Sequence, residues 1–365
     1  MAGFSFGDVA MEADLAGWRA VATLYHRYFT GLLLTVVTRR SAADAGEFVF
    51  QLFRAQHHEK FLPGVAKLGL VGEPDAIKAA GYHYLANRIG GVKVEFMRES
   101  DRKAWVNFVP PRWVFDGTAI CGIPSEVSRG MLRGWYGQNG VSLGNPRLGF
   151  VCTQQTTDGQ PGLSGYFLEH DRDLAPEERL RFSPGEMPPR FDPTAAPNLD
   201  ATLWTAPRLA KAHRTYAMDY IRTGLPALAR MFGPEEAGRL GRAPARLIGM
   251  QFYDEIAATL GGVAPGAAGF ADLMARLAAA QDDACVVAAT DCAARITQTT
   301  WRLMRGVSPL PESIFEAWNG LLEGLLAVHD RFLRLEVRAR MDRGDAAFVW
   351  EVLPRGPGPA GAGLV

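Results

Sequence analysis

The sequence predicts an α+β fold built as two tandem copies of one helices-plus-antiparallel-sheet domain, a pseudo-dimer within one chain. Three observations predict it. Trp18, His26-Arg27 and Tyr28 recur as Trp204, His213-Arg214 and Tyr216. The Asp158-Gly159 turn recurs as Asp342-Arg343-Gly344, again between β-like runs. All the echoes are offset by roughly 185 residues, and a long fixed period marks duplicated units.

The elements follow in order. Residues 1–12 read as a loose leader. Residues 13–40 read as a helix, with Leu15, Trp18, Val21, Leu24, Tyr25 and Tyr28 at helical spacing. Ser41 is a fitting N-cap for a helix over 42–59 that shows Phe48, Leu52 and Phe53 on one face. Glu73-Pro74 opens a third helix, over 76–89, and Gly90-Gly91 ends it. The period then becomes two: Val92, Val94 and Phe96 alternate with Lys93 and Glu95. A turn at Ser100-Asp101 leads to a second strand through Trp105, Asn107 and Val109, stopped by Pro110-Pro111 because proline cannot donate to a ladder. A helix over 125–137 and a hairpin of 148–156 with 163–169 complete the first copy. Residues 174–203 are rich in proline and polar groups and read as the inter-domain linker. The second copy repeats the order: helices over 206–222, 234–260 and 268–280, strands over 284–289 and 293–303, a helix over 311–328, strands over 331–341 and 346–353. The domains are thus 13–173 and 204–353, followed by a Gly-Pro-Gly-rich disordered tail over 354–365.

Composition narrows the function. The chain has 365 residues, with 39 Lys plus Arg against 39 Asp plus Glu. That balance argues against nucleic acid, which demands a clustered basic excess. No run of 18 apolar residues exists, so no membrane-spanning helix is expected, and the N-terminus lacks a secretory pattern. Cys121, Cys152, Cys285 and Cys292 show no CxxC spacing, which favours free thiols in a cytoplasmic protein and no metal. Cys121, within Ala-Ile-Cys-Gly-Ile, reads as a buried packing thiol. No GxGxxG, P-loop, HExxH or GxSxG motif is present, and no cofactor is implied.

The first copy is the denser in polar groups. His57 and His58 are adjacent and point about 100° apart on a helix, so they do not bind one metal together; the plainer reading is a helix C-terminus, which favours a cation. His83 and Asn87 lie four apart on one helix face, as a polar network or a pocket wall. Arg112, held between Pro111 and Trp113, suits a bidentate carboxylate contact or stacking on the indole. The run from Arg133 to Arg147 gathers Trp135, Gln138, Asn139, Asn145 and Arg147 among glycines, a composition shared by ligand loops and plain turns. The strand after it places Cys152, Gln154 and Thr156 on one face. In the second copy only Asn319 and His329 stand near comparable places, so the site is expected in the first.

His213-Arg214-Thr215-Tyr216 followed by Phe232-Gly233-Pro234-Glu235-Glu236 resembles the L-2-amino-thiazoline-4-carboxylic acid hydrolase family. The layout is also similar to 4-vinyl-reductase-type ligand-binding domains. The resemblance implies an α+β domain in each half. It implies either C–N bond hydrolysis on a small cyclic or amide-like carboxylated molecule, or plain ligand binding. In the hydrolase family a Gly-Asp turn leads to a cysteine. Here Gly344-Asp345 leads to Ala346, Ala347 and Phe348, and Ser164 stands near that place in the first half. A second family cysteine is also missing, with Trp113 and Trp301 nearby. Neither Phe nor Trp can replace a thiolate nucleophile, so thiol chemistry is not expected.

Two classes stay open. One is an enzyme with His83 as acid/base and Arg112 or Arg147 holding an anion. Its substrate contacts would be Asn87, Trp113, Trp135, Gln138, Asn139, Asn145 and Gln154. The other is a non-catalytic binding or sensing protein using the same pocket. Either takes a small-molecule ligand, and either admits a homodimer.

Overall fold

A computed structural model describes residues 6–110 and 117–356. The candidate residues Arg112 and Trp113, the first five residues of the leader and the tail from 357 lie outside the described residues. The fold is α+β. Helices α1 (Phe6–Arg39), α2 (Ala42–Lys67) and α3 (Asp75–Ile89) precede the hairpin β1 (Val94–Ser100) and β2 (Lys103–Phe108). Next come α4 (Ser125–Gly134), the short α5 (Asn139–Leu143), β3 (Leu148–Gln154), β4 (Leu163–Glu169) and β5 (Leu180–Phe182). The remainder runs α6 (Ala206–Phe232), α7 (Pro234–Thr259), α8 (Gly266–Ala280), β6 (Cys285–Ala289), β7 (Ala294–Gln298), α9 (Glu312–His329), β8 (Leu333–Ala339) and β9 (Phe348–Pro354).

Two sheets form. The first has the order β1-β2-β4-β3-β5 and the second β6-β7-β9-β8. Neighbours are antiparallel except β3 and β5, which are parallel. The strands β3 and β4 map onto β8 and β9 at a constant offset of 185 residues, and so does Gly159 onto Gly344. Those two glycines have φ of 78° and 97°, the left-handed region that closes each turn without a Cβ penalty. Each turn follows a bulge, between Cys152 and Gln154 in one sheet and Val337 and Ala339 in the other.

The chain divides into two compact units, Leu33–His213 and Met1–Leu32 with Arg214–Val365. Two features depart from the sequence boundaries. Most of α1 groups with the later half: the Tyr25 hydroxyl donates to Gln281, the Tyr28 hydroxyl to the Gly241 carbonyl, and Phe29 stacks on Tyr220. Periodicity shows that a helix has an apolar face, not which sheet that face meets. The segment expected to be a linker is built into the first unit. It supplies β5, and Phe191, Ala196 and Leu199 pack on that unit's core. Its prolines punctuate an ordered covering rather than a free tether.

Other departures are local. α1 begins at Phe6, so most of the presumed leader is helical. The Ser41 cap is as expected, its hydroxyl accepting the Asp44 N–H at 3.0 Å, but α2 runs on past His58 to Lys67 with Pro63 inside it. α6 likewise continues through Pro226, because Ile221, Leu225 and Leu228 prolong its buried stripe. The 133–147 loop is not open coil: a 3-10 turn at Tyr136–Gln138 and α5 occupy it. Cys121, expected inside, is exposed on a surface 3-10 turn. No helix among the described residues is long and apolar enough to cross a membrane.

The first sheet buries one face against α2, α3 and α4, with Phe96, Phe108, Phe150, Phe167, Leu132 and Tyr136 in one cluster. Its other face carries a smaller cluster of Met97, Trp105, Val151 and Tyr166, onto which Phe191 packs. The second sheet packs Phe348 and Trp350 against Trp301, Phe315 and Trp318.

Candidate functional site

The first unit gathers some of the expected residues and separates others. His83, Trp135 and Asn139 come together. The Asn139 amide donates to His83 Nε2 at 2.9 Å, which leaves Nδ1 to carry the ring proton. The His83 ring stacks on Tyr136 (centroids 3.8 Å apart, 13° between planes) and runs nearly parallel to Phe167 (5.5 Å, 7°), which also lies 5.9 Å from Tyr136. Trp135 stands edge-on to it. His83 is 3% exposed and Asn139 0%. A general acid or base must reach a substrate proton. His83 has one nitrogen bonded to Asn139 and its ring packed within the aromatic core, a buried place for such a role.

His57, set aside in the sequence as a helix end, joins the same node from α2. It shares a 2.8 Å hydrogen bond with Ser142 of α5, stacks on Phe61 and meets Trp135 edge-on. Burial pushes its imidazole down to about 3, and the nearby Arg54 and His58 add to the effect. Burial also holds His83 well below its ordinary value, reinforced by His57 and partly offset by the Asn139 hydrogen bond. The folded protein therefore binds fewer protons than the unfolded chain below pH ~6.5, where free imidazole titrates. This contribution to stability is complete above that pH and is lost as pH falls below it. Melting temperature should drop between pH 7 and pH 5, with a slope of up to about 1.4 kcal/mol per pH unit for each such histidine. His57→Gln should flatten the drop, and a wild-type curve flat over that range would contradict the burial of both rings.

The remaining expected residues take other places. Asn145 donates to Asp75 (3.0 Å) and to Glu169 (3.1 Å), and Arg147 pairs with Glu169 at 2.5 Å. Their carboxylate partners are within the protein, so both residues tie loop to strand. Asn87 donates to the His83 carbonyl and Gln138 to the Arg133 carbonyl, each a local helix-end bond. Gln154 donates to the Met187 thioether at 2.8 Å. The bulge after Cys152 ends the expected alternation, so Cys152, Gln154 and Thr156 do not simply share a face. Cys152 is buried and its thiol is pushed up to about 12, which removes it as a thiolate nucleophile at neutral pH.

A group the sequence did not single out surrounds that bulge. The side-chain oxygens Thr153 Oγ1, Gln155 Oε1, Thr156 Oγ1, Thr157 Oγ1 and Ser164 Oγ are buried and have no hydrogen-bond partner within the protein. They are close in the fold: Thr153 to Thr157 are consecutive apart from Gln154, and Ser164 pairs in register with Gln154 and with Asn107. The turn is otherwise well bonded. The Gln155 N–H donates to Gln160 (2.6 Å), Gln155 Nε2 donates to Asp158 (2.9 Å), and the Ser125 hydroxyl donates to the other Asp158 oxygen. Threonine and serine in a turn read as ordinary turn formers, which is why the pattern hid in the sequence.

At the offset of 185, the corresponding positions in the second unit are Arg338, Arg340, Met341, Asp342 and Val349. There the polar groups are satisfied. The Arg340 N–H donates to Asp345 at 2.7 Å, matching the Gln155–Gln160 bond, and its guanidinium holds Asp342 at 2.6 and 3.1 Å and stacks on Phe315. Of these, Arg338, Arg340, Asp345 and Phe315 border a cleft of about 460 Å³ between β8 and α9, reached also by Arg242, Asn319 and Glu323. Its charges compensate one another: Arg242 pairs with Glu323 at 2.8 Å, Arg343 with Glu312 at 2.6 Å. Asn319, the other residue marked in this half, accepts from Trp350 and donates to Glu323, while His329 bonds Tyr253 and the Gly266 carbonyl. Among the described residues no group of three or more His, Cys, Asp or Glu could hold a metal ion. No family model, curated protein or solved structure matches the chain.

Proposed function

We propose that the protein is a non-catalytic binding or sensing protein for a small neutral polar molecule, held in the first unit at the end of its sheet. The single observation behind this reading is the set of five buried, unpartnered oxygens at 153–164. A buried polar atom left unpaired costs about 1–3 kcal/mol, so five cost roughly 5–15 kcal/mol, as much as a whole domain's stability. Such a group needs a polar occupant. Four of the atoms are hydroxyls, which both donate and accept, and the fifth is an amide oxygen, which accepts. None carries a formal charge, and Asp158 beside them is already engaged by Ser125 and Gln155. The chemistry suits a polyol, a sugar or an amide better than an anion. The expectation of a carboxylated ligand rested on the family resemblance and on Arg112 or Arg147; Arg112 lies outside the described residues, and Arg147 pairs with Glu169.

On this reading the two units descend from one duplicated domain, in agreement with the shared strand order and with near-equal offsets, 191 residues for α3, β1 and β2 and 185 for β3 and β4. The first copy keeps the site and the second fills the same positions with Arg340 and Asp342. The resemblance to ligand-binding domains of the 4-vinyl-reductase type agrees with the burial of His83, the acid/base that the sequence suggests. The test is a thermal-shift panel on the full chain with neutral polyols, sugars and small amides alongside matched carboxylates. A neutral compound should raise the melting temperature in a saturable way. A response confined to carboxylates would overturn the reading.

A second reading, hydrolysis of a C–N bond in a cyclic or amide-like carboxylated compound, has one observation in its favour: the 2.8 Å bond between Ser142 and His57. A serine beside a histidine is the start of a nucleophile–base pair. Against it, an imidazole held near 3 is a weak base at neutral pH, far from the range that suits general-base catalysis. Turnover of an amide substrate abolished by Ser142→Ala would favour this reading over binding alone.

A further inference from the structure

The two sheets differ at one edge. In the first, β5 closes the outer side of β3: the Phe150 N–H donates to the Arg179 carbonyl at 2.8 Å, and the Cys152 carbonyl accepts from the Ser183 N–H at 2.9 Å. In the second, β8 is the last strand, and among the described residues none lies beyond it. At the offset of 185 the outward groups are the Leu335 N–H and the Val337 carbonyl. Open edges of this kind are templates for another strand, and proteins ordinarily blunt or cover them. The edge is also apolar in places where it meets solvent: Phe332 is 65% exposed and Val337 36%.

We propose that β8 pairs with β8 of a second copy of this chain, antiparallel about Leu335, joining two four-stranded sheets into one of eight strands. Within one copy Glu336 already pairs with Arg334 and Arg338, and Arg338 with Glu351, so the strand carries alternating charge that a second copy can match in one register. With Leu335 opposite its own counterpart, Arg334 lies opposite Glu336 of the other copy, twice by symmetry. Leu333 lies opposite Val337, also twice, and the exposed Phe332 lies opposite Arg338. The outward-facing odd residues then form the hydrogen-bonded pairs. Arg334 and Glu336 fall in the non-hydrogen-bonded pairs, where side chains approach most closely. Moving the centre to Glu336 would set Glu336 against Glu336 and Arg334 against Arg338, so charge excludes the neighbouring register. A two-fold contact of this type is self-complementary by construction.

The experiment is sedimentation velocity of the full chain over a broad micromolar range. The wild type should populate a dimer. Glu336→Arg places like charges opposite each other at two symmetric positions and should weaken the dimer about tenfold. Arg334→Glu combined with Glu336→Arg restores opposite signs across the interface and should recover it. Leu335→Pro removes only an outward N–H, which an edge strand tolerates, and should abolish dimerisation. A thermal melt of each variant separates loss of pairing from loss of fold. A wild type monomeric at every concentration, one that pairs only with a foreign peptide, or a Glu336→Arg protein that dimerises like the wild type would each overturn the proposal. So would a double variant as weak as Glu336→Arg alone.

Discussion

Gly324→Leu is expected to cost the protein about 3 kcal/mol or more, the upper range for overpacking a tight core. A Cβ at Gly324 would sit 2.2 Å from the Arg246 carbonyl oxygen and 3.0 Å from the Gly249 Cα. Both neighbours are backbone of α7, so no side chain can swing aside. The reciprocal position is as tight: a Cβ at Gly249 would meet the Leu321 carbonyl oxygen at 2.4 Å. α7 and α9 therefore cross with their backbones in near contact. The first unit uses the same device, with Gly130 facing the Gly46 carbonyl at 2.2 Å and Gly134 facing the Phe50 carbonyl at 2.6 Å. A loss of this size should lower the melting temperature by roughly 6–12 °C for a unit of this length. Val328→Ala on the same helix, at an exposed position, should stay within about 0.5 kcal/mol. If Gly324→Leu melts with the wild type, the helices do not cross where the structure places them.

Much of the fold is legible in the sequence because it rests on local periodicity. The alternation of Val94 and Phe96 with Glu95 marks β1, and the Ser41 cap marks the start of α2. What escapes depends on distant partners. The stripe that includes Leu24, Tyr25 and Tyr28 announces a buried helix face, but only the fold shows that it meets α7, α8 and α9. β5 is three residues long and set among prolines, so its pairing with β3 leaves no periodic trace. α4 stops at Gly134, where the Phe50 carbonyl and the Arg54 N–H crowd the helix, while its counterpart α9 runs unbroken to His329.

The site was half legible. Rarity and spacing point to His83 and Asn139, which do meet, buried among aromatic rings. Asn145 and Arg147 stand out in sequence by their glycine-rich setting, and the fold gives them Asp75 and Glu169 as partners. The hydroxyls of Thr153, Thr156, Thr157 and Ser164 look commonplace in sequence. Their interest comes from burial without partners, a property that only the bulge and the tight turn create.

Those hydroxyls lead to the second large effect, which has an unusual sign. Replacing Thr153, Thr156 and Thr157 together with valine keeps their shape and deletes three buried unpaired oxygens. The ligand-free protein should become more stable, by roughly 1 kcal/mol per site, because the desolvation cost of each oxygen disappears. Buried substitutions ordinarily destabilise, so a rise in melting temperature would be diagnostic.

The same triple variant gives the most direct measurement: calorimetric titration of wild type and Thr153→Val/Thr156→Val/Thr157→Val with the neutral compound that best stabilises the wild type. The wild type should bind it with one site per chain. The variant should show no binding while remaining folded and at least as stable without ligand. Equal affinity in the two proteins, or a variant that loses stability in the absence of ligand, would contradict a ligand site at the end of the first sheet.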